Sequence, residues 1–104
     1  MEQQPYVPPE AVTSPQDRWT LIGVLKDGGS GEASYAIGLW EEQVRIACRW
    51  NGWDGSPTGN PQSRGLPTWM VMEADAAAGL VQALNLTDAL LELAARQHAE
   101  LTRR

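Results

Sequence analysis

The chain has one cysteine, one histidine and one lysine in 104 residues. A lone cysteine, Cys48, excludes a disulfide framework and a thiolate cluster for zinc, and it fits a reducing cytoplasm. A lone histidine, His98, excludes paired imidazole ligands at helical spacing. No apolar run approaches the ~20 residues of a membrane-spanning helix. Residues Met1 to Gln16 lack the basic start and apolar middle of a secretion signal. Metal-protease, redox-pair, nucleophile-elbow and acidic metal-loop motifs are also missing. These absences lead to the expectation of a non-enzymatic, cytoplasmic protein with no cofactor and no metal.

The charge balance is acidic, with 13 Asp and Glu against 8 Lys and Arg for a net −5. That sign opposes coating of nucleic acid, because nonspecific affinity comes mostly from cations neutralising phosphates. The excess lies at the two ends: residues 17–72 hold six acids against five bases. Arginine supplies all but one of the bases and suits bidentate and stacking contacts.

The pattern of the chain predicts an α+β domain, a four-stranded antiparallel β-meander followed by two C-terminal helices packed on one face. Pro5, Pro8, Pro9 and Pro15 make residues 1–16 a flexible, Pro-rich, solvated arm, leaving 17–104 as the single α+β domain. The first strand, Trp19 to Leu25, is apolar on both parities, as for a strand covered on both sides. Lys26-Asp27-Gly28-Gly29-Ser30-Gly31 then reads as a hairpin loop, since a strand and not a helix follows it. A second strand spans Ser34 to Trp40, with Tyr35, Ile37 and Leu39 as its core row. In the third, Val44 to Trp50, the row Val44, Ile46, Cys48 and Trp50 is expected inward, leaving Arg45, Ala47 and Arg49 outside. The outer sheet face is then small and smooth at Ser34, Ala36 and Gly38, with Trp40, Arg45 and Arg49 standing over it. A fourth strand, Thr68 to Glu73, alternates Trp69 and Val71 against Met70 and Met72. Helices follow over Asp75 to Leu84, facing inward with Ala76, Ala77, Leu80, Val81 and Leu84, and over Asp88 to Thr102. The second is expected to be capped by Thr87, stapled by Leu86 onto Leu91, and to face inward with Leu90, Leu91, Ala94, His98 and Leu101.

Between the third and fourth strands lies Asn51 to Pro67, with four Gly and three Pro. A loop of that length in a small domain is usually functional or disordered. Its start, Arg49-Trp50-Asn51-Gly52-Trp53-Asp54-Gly55, crowds two indoles and a guanidinium between two turn-forming dipeptides. Indoles act as interface anchors and as stacking platforms for bases. Cys48 on a core row acts as a small hydrophobe, and His98 on an inner arc as a packed residue.

The run Arg49-Trp50-Asn51-Gly52 with Gly59-Asn60-Pro61-Gln62-Ser63-Arg64-Gly65-Leu66-Pro67-Thr68-Trp69 resembles small uncharacterised bacterial proteins of mobile elements: plasmids, phages or integron cassettes. The resemblance implies an accessory gene and carries no activity. Four strands and a helix also look like the architecture of single-stranded-DNA-binding coactivators and Whirly proteins, from which the acidic charge, single Lys and second helix depart. The function expected from the sequence is thus an interaction module of a mobile element. It is expected to be homodimeric and to bind a protein partner through the Trp/Arg loop and sheet face, using Trp40, Arg45, Arg49, Trp53 and Arg64. Its acidity and size suit an inhibitor of a host nucleic-acid-binding machine. The alternative is single-stranded nucleic-acid binding through the same residues, which the net charge disfavours.

Overall fold

A computed structural model describes residues 6–102, with side chains described for 6–96. Strands β1 (Trp19–Asp27), β2 (Ala33–Trp40) and β3 (Gln43–Trp50) form an antiparallel meander. Inside the long loop sits a two-residue ribbon, β4 (Gln62–Ser63) with β5 (Leu66–Pro67). Strand β6 (Met70–Val71) then joins the free edge of β3, giving the order β1-β2-β3-β6. Helices α1 (Ala74–Ala83) and α2 (Thr87–Thr102) complete the four-stranded α+β fold. The fourth strand is shorter than its alternating pattern suggested, and the loop contains a ribbon where none was expected.

Each face of the sheet has its own apolar core. On the helix side, Leu25, Ile37 and Ile46 are buried with Ala77 and Leu86, and Leu80, Val81, Leu90 and Leu93 pack around them. The Ile46/Cys48 row therefore does face the helices. Its ends do not: Val44 and Trp50 overrun the helices and are exposed. The inner face of α2 is rotated from the expected one, with Ala89, Leu90 and Leu93 inward and Leu91 and Ala94 exposed. Leu91 therefore does not meet Leu86 as a staple. His98 and Leu101 lie outside the residues whose side chains are described.

The opposite face, expected to be open, is covered by the chain's own N-terminal segment. Val12 is only 1% exposed and is buried with Trp19, Ala36, Ala47 and Trp69. The Trp69 indole Nε1 donates to the Val12 carbonyl at 2.6 Å, and the Trp69 backbone N–H donates to the Ser14 carbonyl at 3.1 Å. Over residues 6–16, then, the arm is a packed strap rather than a solvated tail; residues 1–5 lie outside the described residues. Proline suits this role, since a strap that pairs with the sheet side only through an isolated bridge, Ser14 to Thr68, loses little by lacking N–H donors. The small residues seen in the sequence explain the close fit. A Cβ on Gly38 would sit 2.5 Å from the Trp19 ring and from the Thr20 carbonyl. Register shifts in β1, after Leu21 and after Val24, put Trp19 and Leu21 on the strap side and Ile22 and Leu25 on the helix side. Bulges of this kind let one strand serve both cores.

Candidate functional site

The loop is held by a guanidinium. Arg49 is 3% exposed, and its Nη1 and Nη2 donate to the carbonyls of Thr68 and Thr58. One side chain at the end of β3 thus ties the middle of the loop, at Thr58, to its return toward β6, at Thr68. Burial lowers the Arg49 pKa, and its Nε finds no partner among the described residues. Gly59, at φ +69, lies against this staple: a Cβ there would meet the Trp50 carbonyl at 2.1 Å and Arg49 Nη2 at 2.8 Å. Trp50 and Asn60 exchange backbone hydrogen bonds of 2.7 and 3.0 Å, which fix the loop to the end of β3.

A second knot holds the loop's first residue. Asn51 is fully buried; its Nδ2 donates to Asp27 Oδ1 at 2.9 Å and to the Gly29 carbonyl at 2.8 Å. Ser34 Oγ donates to Asn51 Oδ1 at 2.9 Å, and Tyr6 OH donates to the Asp27 carboxylate at 3.0 Å. Hairpin, loop and strap therefore meet at Asp27. Buried polar groups are tolerated when satisfied in this way, and they fix one geometry.

The structure separates the five residues nominated from sequence. Arg49 is a structural staple, not a surface cation, because the strap and loop bury the face on which it stands. Trp40 packs against the strap-side core, and the Arg18 guanidinium lies 6.0 Å from its ring centre. Arg45, half-buried, donates to Gln43 Oε1 at 2.6 Å. Four residues of β3, roughly 13 Å of strand, separate Arg45 from Arg49. Arg64 is exposed at the tip of the β4–β5 ribbon, with φ +53. Trp53 is 47% exposed at a small turn closed by reciprocal bonds with Ser56.

What the geometry assembles instead is an apolar cleft of about 470 Å³ on the helix side of the sheet. The pairs Tyr35↔Cys48 and Cys48↔Met70 run across its floor, and Ala33↔Trp50 forms the next rung. Leu80 of α1 and the loop residues Asn60 and Pro61 complete the lining. Trp50 and Met70 remain 57% and 56% exposed. Arg49 is the one charged residue in the lining, and strand alternation turns its side chain to the strap side. Burial pushes the Cys48 thiol pKa up, so it stays a neutral, apolar floor. No known protein family, curated protein or solved structure matches the chain. The cleft is therefore read from its chemistry alone. Among the described residues there is no group of three or more His, Cys, Asp or Glu placed to hold a metal, and no helix long and apolar enough to cross a membrane.

Sequence reasoning missed Trp50 and Met70 as surface groups. Alternation put Trp50 on the inward row and Met70 opposite Trp69 and Val71 without assigning it a face, and it does not say how far the helices cover a strand. The available signal was position: both lie at strand ends beside the Gly/Pro-rich loop.

Proposed function

We propose that this protein is a non-enzymatic, cytoplasmic interaction module that binds a protein partner through the Trp50–Met70 cleft and the adjoining Trp53 loop. The observation that carries this reading is the pair of large apolar side chains left standing beside a cleft with no free charge. Exposed tryptophans next to a concave apolar surface are the usual anchors of protein interfaces. The staple and the Asn51 knot support it further, since an ordered loop loses less entropy on binding. The sheet face expected to share in binding is set aside, because the strap occupies it. A mobile-element origin rests on the loop motif alone.

The test is photo-crosslinking in cells, with a photoreactive residue at Trp50, at Met70 or, as a control, at exposed Thr20. Adducts to a discrete protein from the first two positions and not from Thr20 support the reading. Equal or absent adducts at all three sites refute it. A parallel titration with single-stranded oligonucleotides at low salt addresses the alternative. With Arg49 consumed internally, no salt-sensitive binding is expected; affinity falling steeply with salt would favour nucleic acid instead.

A further inference from the structure

We propose that the N-terminal strap governs the binding loop: strap and loop seat and lift as one unit, while the helix-side core stays closed. The consequence for binding rests on the reading of Trp50 and Trp53 as a contact surface; the coupling itself does not. At the start of the loop the contacts form a ring. Tyr6 OH donates to the Asp27 carboxylate, whose Oδ1 accepts from Nδ2 of Asn51. The next strap residue, Val7, donates its backbone N–H to the Pro57 carbonyl at 2.9 Å. Pro57 lies on Gly52, where a Cβ would come 2.2 Å from the Pro57 carbonyl carbon, and Gly52 follows Asn51 in the chain. Two adjacent strap residues therefore grip the turn that carries Trp53, Tyr6 through Asp27 and Val7 directly.

The same strap holds the other end of the loop. The Val12 and Ser14 carbonyls accept from the Trp69 indole and backbone N–H, and Trp69 follows Thr68, which Arg49 holds. Between these ends the loop has little packing of its own. No residue from 52 to 57 belongs to either apolar core, and Trp53, Asp54, Gly55 and Pro57 are exposed. Its remaining ties are the Gly31 N–H to the Gly52 carbonyl and the hold of Arg49 on Thr58. The Gly31 hairpin itself leans on Asp27, which accepts the Gly29 N–H at 3.0 Å. Segments held by hydrogen bonds with few buried apolar contacts open at lower free energy than a core, and they open in contiguous units. The strap-side core shares no buried residue with the helix-side core across the sheet, so opening can stop at the sheet.

Amide exchange on the full chain, taken as protection relative to the intrinsic rate, tests the coupling in two variants. Tyr6→Phe removes a donor from Asp27 at one end of the strap, and Val12→Ala removes packing at the other. Circular dichroism shows that each remains folded, and Tyr6→Phe carries the test alone if Val12→Ala does not. Losing a hydrogen bond to a charged group shifts an opening equilibrium by roughly ten-fold or more. Each variant is read at the end it does not touch: Trp69 for Tyr6→Phe, and Val7, Asn51 and Ser56 for Val12→Ala. Protection there is expected to fall about ten-fold, in step with the altered end, while Leu84 and Leu90 on the helices keep theirs. A fall confined to the altered end, or no fall, overturns the proposal. So does an equal fall at Leu84 and Leu90, because the whole domain then opens at once. No partner enters this measurement, so its failure is distinguishable from failure of the binding reading, which the crosslinks at Trp50 report.

Discussion

Replacing Arg49 by alanine decides whether this residue is a staple or a surface cation. Its guanidinium donates to two backbone carbonyls, those of Thr58 and Thr68, in a setting 3% open to solvent. A hydrogen bond from a charged donor contributes about 1.5–3 kcal/mol net. Desolvation of the guanidinium, visible in its lowered pKa, and its unpartnered Nε offset part of that gain. The balance for Arg49→Ala is a loss of about 3 kcal/mol, a large share of the ~5–15 kcal/mol that holds a domain of this size. The thermal midpoint should fall by roughly 12–24 °C. Arg49→Lys should lie between, since one ammonium cannot bridge both carbonyls in the guanidinium's forked geometry. Urea unfolding followed by circular dichroism gives the energy, and amide exchange at Trp50 and Asn60 reports the loop. A loss below about 0.5 kcal/mol, the size of an ordinary surface change, with unchanged exchange would refute the staple.

Three further outcomes follow from the same packing. Gly38→Ala drives a methyl to 2.5 Å from Trp19 and the Thr20 carbonyl; it should cost about 1–3 kcal/mol, and an unchanged melting curve would show that Trp19 does not cover the glycine. Glu41 and Glu42 connect β2 to β3 with φ of 49° and 70°, a two-residue turn that Asn-Gly fits better; the double replacement should stabilise by about 1–2 kcal/mol, and a lowered urea midpoint would count against this turn geometry. Glu73 caps α1 by accepting the N–H groups of Asp75 and Ala76, which hold its pKa below the usual value. The stability it adds is complete above the unfolded-state pKa and disappears as pH falls through the depressed folded-state value. Amide protection at Asp75 and Ala76, taken relative to the intrinsic exchange rate at each pH, should therefore fall in acid in the native protein, and Glu73→Gln should remove that fall; identical protection profiles in the two proteins would rule out the cap.

The sequence by itself determined the order of the elements and the two-sided character of the sheet. Period-2 alternation put Ile46 and Cys48 opposite Ala47 and Arg49, and Met70 and Met72 opposite Trp69 and Val71. The break between the helices was equally legible, because Asn85 tolerates the left-handed conformation it adopts at φ 57°. Alternation assigns a face, but it does not say what covers that face. Whether Ala36 and Gly38 meet a partner or the chain's own Val12 depends on contacts between residues far apart in sequence. The tertiary structure decided this, and with it whether Arg49 binds outward or inward. It also decided how far the helices reach over the sheet, leaving Trp50 and Met70 exposed beside Leu80 at the edge of that cover.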